Sequence, residues 1–286
     1  MRSATYRYDW LIEIVAKVGY NDGMDLYTLT IVFLLGFGVS FCSGFLGIGG
    51  GIIMAPALLY LLPAVNAATL DVKAVTGLTI TQGLFATLSG ALKHGSYNFI
   101  SRSLVLYMGG SIMVFALGGA LFSRWVSNNL IGAIFASLAL LAALLMFIPQ
   151  PQRDVDIAPD EVSFNKPMAV AIAAIIGFLG GLVGQGGSFI LIPLMLFVLK
   201  IPTRIALGSN LAIVFISAAA GFVGKISTGQ IPIGLAAALV LGALPGAQIG
   251  GYLSKRTRPV TLRAILAAVI ALAATRIWYD ILTRGF

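Results

Sequence analysis

"GFLGIGGGIIMAP" at 44–56 and "GLVGQGGSFILIP" at 181–193 concentrate the residues of this chain that could do chemistry. In each, a run of glycines opens directly onto an apolar stretch. A helix starting there presents first-turn N–H groups without helical partners and about half a positive charge. Glycine lets a ligand approach such backbone closely, and the ligand this suits is a small anion. The candidate binding groups are Gly47, Gly49, Gly50 and Gly51 in the first stretch, and Gly184, Gln185, Gly186, Gly187 and Ser188 in the second. Neutral donors farther along each half, Thr79 and Gln82 in one and Ser209 and Asn210 in the other, could complete the site. Lys93, His94 and Lys225 stand near the ends of apolar stretches and are candidates for coupling or gating. The competing reading is architectural, because small residues let membrane helices cross closely and Ser or Asn cross-link them.

The remaining titratable residues narrow the chemistry. All ten acidic residues, Asp9, Glu13, Asp22, Asp25, Asp71, Asp154, Asp156, Asp160, Glu161 and Asp280, lie outside the apolar spans. Carriers of cations commonly place a carboxylate inside the membrane. One cysteine, Cys42, and one histidine, His94, cannot assemble a metal cluster. There is no ATP-binding loop, and no cofactor is implied. A serine nucleophile would need a base, and the lone histidine falls at a loop, which argues against an enzyme. The net charge of +8 is spread between apolar spans. That is a topology signal, not the clustered basic face that nucleic acid requires.

These residues must be positioned by membrane helices. Of 286 residues 59% are hydrophobic and only 10% charged, where a soluble domain carries roughly a quarter. We expect an all-α polytopic membrane protein. Leu26 to Leu70 is uncharged over 45 residues and Pro167 to Leu199 over 33. Either block is longer than one crossing of ~20 residues, and one full segment plus a half-segment fits best. Further spans are expected at about 74–92, 103–123 and 128–148, then 205–224, 232–254 and 260–280. The polar stretch "PQRDVDIAPDEVSFNKP" separates two halves. The organisation is then an N-terminal interfacial segment at 1–25, a first membrane repeat at 26–149, a linker at 150–167 and a second repeat at 168–286.

The halves align. An offset of 137 pairs Gly44 with Gly181, Gly47 with Gly184 and Pro56 with Pro193. An offset of 131 pairs Gly77 with Gly208 and Gly90 with Gly221, and 132 pairs Gly110 with Gly242 and Gly118-Gly119 with Gly250-Gly251. Homologous loops differ in charge: Lys93, His94 and Arg102 flank one whose counterpart has only Lys225, and Arg124 marks one whose counterpart has Lys255, Arg256, Arg258 and Arg263. Placing both basic loops in the cytoplasm makes the repeats inverted, with both termini outside. Each Gly-rich unit is then a broken, re-entrant hairpin followed by three spanning helices. Short helices start near Gly51 and Ser188, and the two tips meet inside protein.

On these two Gly-rich units, and on "ALGSNLAIVFISAAAGFVGK" at 206–225, the chain resembles the TauE/SafE family of sulfite-exporter-like proteins over about residues 29–282. The resemblance implies movement of small sulfur-containing anions, such as sulfite or sulfoacetate, across the bacterial cytoplasmic (inner) membrane. Residues and resemblance together point to a multi-pass secondary transporter that exports a small anion by alternating access. Its partners are that anion and the bilayer. An anion channel and a membrane assembly factor without a substrate are the alternatives. The first tip carries Ile48 and Gly51 where the second carries Gln185 and Ser188, so side-chain recognition is expected from the second.

Overall fold

The computed structural model describes residues 25–146, 158–184 and 187–284, and all regular structure among them is helical. The segment expected to lie on the membrane surface, up to residue 24, and linker residues 150–157 fall outside the described residues. The first half comprises α1 (Leu26–Leu46), α2 (Gly51–Ala64), α3 (Val72–Gly95), α4 (Arg102–Phe122) and α5 (Asn128–Met146). The second comprises α6 (Lys166–Val183), α7 (Ser188–Phe197), α8 (Thr203–Ser227), α9 (Ile233–Arg256) and α10 (Pro259–Arg284). Seven of these, α1, α3, α4, α5, α6, α8 and α9, are long and apolar enough to cross a bilayer. Large aliphatic side chains such as Leu106, Ile175 and Leu241 stand exposed on them, at 72%, 61% and 65%. Lipid accepts such surface at no cost, and the chain is a multi-pass membrane protein.

The long uncharged blocks fold as one long helix and one short helix each. α1 begins beside the end of α2, where the Tyr27 hydroxyl donates to Val65 O (3.1 Å) and Thr28 Oγ1 to Ala67 O (2.9 Å). It runs the whole length of α3 and ends beside His94, whose Nε2 lies 3.0 Å from Gly44 O. Gly47 then adopts φ 71°, and the chain turns back through Gly49 and Gly50 before α2 starts. The second unit repeats this with Gly184 at φ 77° and Gly187 at φ 73° ahead of α7. Only glycine holds these left-handed conformations without strain. Pro56 and Pro193 fall inside the short helices, and in α2 the turn after Pro56 widens to π geometry over Ala57–Leu61.

Equivalent helices of the two halves pack on one another. On α3 and α8, Ile80 meets Gly221 and Leu211 meets Gly90. Those four residues are counterparts at an offset of 131, so one contact occurs twice. A step forward on α3 is a step back on α8, and the two helices are antiparallel. Phe85 and Ile216 are both counterparts and opposite each other, which puts the centre of the relation at their level. A Cβ on Gly44 would fall on the Ala247 carbonyl, and one on Gly181 on the Ala116 carbonyl. Gly250 is crossed by the backbone of Phe41 and Phe45, as Gly119 is by that of Phe178 and Leu182. Thus α1 lies along α9, and α6 along α4, in the same register. These contacts set the α4–α9 correspondence at 131, one less than the 132 read from the glycine pairs. In tandem glycines such as Gly118-Gly119 and Gly250-Gly251, either neighbour can be aligned, and only the crossing decides.

The ends of the bundle differ in charge. At one, Arg204 donates to Lys255 O and Thr257 O, Lys93 and Lys255 lie over Tyr97, and Arg256 lies over Tyr252. At the other, Lys73 Nζ donates to Arg124 O and Asn128 Nδ2 to Asp71 Oδ1. These are called below the Arg204 end and the Lys73 end.

Candidate functional site

Between Gly47 and Gly50 the chain drops from the Arg204 end to the centre, so α2 starts in the interior. Gly49 O approaches Gly83, and Gly50 sits against the Gln82 side-chain amide. Both α3 residues are within ~5 Å of the central level at 1.5 Å per residue. α7 starts at the same place from the other half, because Gly49 lies against the Cβ and Oγ of Ser188. The two tips therefore touch, and two helix N-termini face one spot. Met54 N and Ile53 N return to Gly50 O, and Leu191 N to Gly187 O, so the preceding first-turn N–H groups have no backbone partner among the described residues.

Side chains surround that spot. Gln82 Nε2 donates to Ser40 Oγ (2.8 Å), while its Oε1 is buried without a partner among the described residues. Ser188 Oγ and Asn210 Oδ1 are likewise buried without partners among the described residues. Asn210 Nδ2 donates to Gly47 O (2.6 Å) and Ser188 O (3.2 Å), binding both tips to α8. Ser40, Gln82, Ser188 and Asn210 are each 0% exposed. Unsatisfied polar atoms in such surroundings cost free energy and call for an explanation, and a polar ligand supplies one. The described carboxylates lie elsewhere: Asp25 and Asp71 stand at the N-cap positions of α1 and α3, and Asp160 and Glu161 form a turn before α6.

Several sequence candidates take other places. Thr79 Oγ1 donates to Gly184 O (2.9 Å), the counterpart of the bond from Asn210 to Gly47, so it pins the second tip. Ser209 Oγ accepts from Ser101 N (2.9 Å) and holds the α3–α4 loop. Gln185 and Gly186 lie outside the described residues. His94 and Lys225, expected at loop ends, are buried at 2% and 0% exposure. The reason is that α3 and α8 continue to Gly95 and Ser227, beyond the expected 92 and 224, and carry both side chains into the bundle. The Lys225 amine donates to Thr76 Oγ1 (2.9 Å), Ser123 Oγ (2.8 Å), Gln230 Oε1 (2.9 Å) and Leu182 O (3.3 Å). Lys93 is half-buried, 5.8 Å from the ring centres of Tyr97 and Tyr252.

The family profile described as "Sulfite exporter TauE/SafE" matches residues 32–277. The chain belongs to that family. This TauE/SafE chain is also similar to proteins named probable membrane transporter protein from Bacillus subtilis. YunE is 26% identical over 88% of this chain and 98% of its own length, and YjnA is 23% identical over 86% and 98%. YdhB, from the same organism, is 26% identical over 86% and 96%. Those names describe transporters and state no substrate. No solved structure matches significantly.

Ser40, Thr76, Ser123 and Gln230 join the polar networks of this TauE/SafE chain without having stood out in the sequence. Ser40 had one available signal: it lies seven residues, two helical turns, before the turn glycine Gly47. Thr76 and Ser123 had none, since only the packing of α8 brings Lys225 to them.

Proposed function

We propose that the chain is a secondary transporter of a small anion, most simply a sulfur-containing oxyanion or organosulfonate such as sulfite or sulfoacetate, and that it exports the anion across the bacterial cytoplasmic membrane. The observation that carries this reading is the meeting of two helix N-termini at Gly49 and Ser188, beside unpartnered oxygen atoms of Gln82, Ser188 and Asn210 and away from any described carboxylate. N–H dipoles and neutral donors there suit negative charge. The sulfur chemistry is taken from the description of the family.

Inverted repeats and alternating access complete the proposal. Counterpart helices α3 and α8 are antiparallel, and the counterpart of the 96–101 loop, at 228–232, lies at the opposite end of the bundle. The Arg204 end collects Lys93, Arg204, Lys255 and Arg256, which supports a cytoplasmic location for it. Full burial of the central residues favours a site opened to one side at a time over a continuous channel. Export of a monovalent anion is assisted by the inside-negative potential at ~2.3 kcal/mol per 100 mV.

The test is a thermal-shift screen of purified protein against sulfite, sulfate, thiosulfate, sulfoacetate, nitrate and carboxylates, followed by counterflow in proteoliposomes. Stabilisation by one sulfur oxyanion, lost in Ser188→Ala, is expected. Absence of any shift or counterflow with the whole panel refutes the proposal.

A further inference from the structure

We infer that Lys225 is the charge-selecting gate between the central site and the Lys73 end: its ammonium takes up the anion leaving that site and, in doing so, lets go of the second hairpin. This rests on the anion-transport reading above.

The surroundings of Lys225 are built for a cation. Thr76 Oγ1 donates to Lys73 O and Ser123 Oγ to Ala120 O, so both hydroxyls turn lone pairs to the amine. Gln230 Nε2 donates to Thr228 Oγ1 and Ser123 Oγ, which turns its Oε1 the same way. With Leu182 O, the amine meets four acceptors and no carboxylate. A buried charge without a counter-ion is costly to keep, and an anionic ligand supplies the missing partner.

One of the four bonds is placed to be exchanged. An ammonium has three N–H groups, so four acceptors cannot all be fully served, and Leu182 O is the farthest. Leu182 stands two residues before the Gly184 turn, on the arm that Thr79 pins. An anion that takes the N–H shared with Leu182 frees the end of α6. Binding of the anion at Lys225 is thereby coupled to movement of the tip.

A row of polar residues leads there on one side only. Thr76, Thr79 and Gln82 recur at three-residue spacing on α3, a polar lane of ~9 Å from the amine to the centre. The counterpart lane on α8 is Leu207, Asn210 and Ile213, and it leads to His94. Lys73 and Arg124, whose near neighbours Thr76 and Ser123 hold the amine, add positive charge at the exit, with Asp71 engaged by Asn128.

The experiment uses full-length protein in proteoliposomes with radiolabelled sulfite counterflow, competed by methanesulfonate or by its uncharged analogue methanesulfonamide. Lys225→Gln should lower the preference for methanesulfonate over methanesulfonamide by about tenfold, and Lys225→Arg should keep it within about threefold. Loss of a merely structural contact lowers transport without moving that ratio, so an unchanged ratio in Lys225→Gln overturns the proposal. Thr76→Val keeps the charge and frees one N–H. It should lower the KM for sulfite about threefold, and a KM unchanged or raised overturns the proposal even if Lys225→Gln does not fold. Wild-type protein that shows neither shift nor counterflow with any anion of the panel above refutes the anion reading itself. Wild-type transport with an unmoved ratio refutes only the role of Lys225.

Discussion

Asn210→Ala tests whether α8 holds the two glycine tips together. The substitution removes two hydrogen bonds, to Gly47 O at 2.6 Å and Ser188 O at 3.2 Å, from a fully buried position. Interhelical hydrogen bonds in membranes average ~0.6 kcal/mol, which gives about 1.2 kcal/mol for the pair. The Gly47 carbonyl, left unpaired and dry at the end of α1, raises that by ~1 kcal/mol or more. We expect a loss of about 2 to 3 kcal/mol on these two scales together. The repeat supplies its own control, because Thr79 makes the equivalent bond to Gly184 O with a hydroxyl. Asn210→Thr should therefore retain the Gly47 bond, lose only the Ser188 bond, and cost about half as much as the alanine variant. Thr79→Val loses one tip bond and should cost ~0.6 to 1 kcal/mol. SDS titration of detergent-solubilised protein, followed by circular dichroism, gives all three values. A stability of Asn210→Ala within ~0.3 kcal/mol of wild type, or a larger loss from Thr79→Val, refutes the account of how the tips are held.

Ser188→Ala deletes a buried hydroxyl that bonds nothing among the described residues, so its stability should stay within ~0.5 kcal/mol of wild type while the thermal shift by sulfite disappears. Gly181→Ala drives a methyl group into the Ala116 carbonyl and should prevent assembly or cost at least ~3 kcal/mol, whereas Gly38→Ala, with open space around it, should fall within ~0.5 kcal/mol by the same titration. In a Cys42→Ala background, Ser96→Cys belongs to the Arg204 end and Ser127→Cys to the Lys73 end, and both positions are exposed. A membrane-impermeant maleimide should label Ser127→Cys in intact cells and Ser96→Cys only in inverted vesicles; the reverse pattern overturns the orientation.

Much of this architecture was legible because it is written in patterns longer than a helix. The uncharged blocks of 45 and 33 residues forced a long helix plus a short one, and α1–α2 and α6–α7 are that arrangement. Short helices expected from Gly51 and Ser188 start at those residues. What escaped was the burial of single polar residues. His94 and Lys225 read as loop residues since each stands within five residues of a turn, yet Gly44 and Gly251 leave room for the histidine, and Thr76, Ser123 and Gln230 come to the lysine from three separate segments. Thr79 and Asn210 were picked as ligand groups for their chemistry, but their stronger observed role is to pin carbonyls that the glycine turns leave open. No local sequence pattern separates a donor facing a ligand from one facing a distant carbonyl.

On the proposed inverted-repeat reading, the pairing of residues between the halves also has a pattern of differences. Wherever the duty is closure of the fold, the counterparts agree: Gly47 with Gly184, Gly44 with Gly181, Gly90 with Gly221, and the tip bonds of Asn210 and Thr79. Wherever a group points at the centre or toward an exit, they disagree: Gln82 faces Ile213 in the alignment, Gly51 faces Ser188, Ser40 faces Gly177, and His94 faces Lys225. Packing constrains both copies alike, because Gly44, Gly47, Gly181 and Gly184 are met by backbone that cannot yield, and Gly90 and Gly221 receive the side chains of Leu211 and Ile80. A site on the axis needs each function once. A single Gln82, a single Ser188 and, among the described residues, a single buried lysine are then what a duplicated scaffold would hold if one anion bound at its centre and left preferentially through one end.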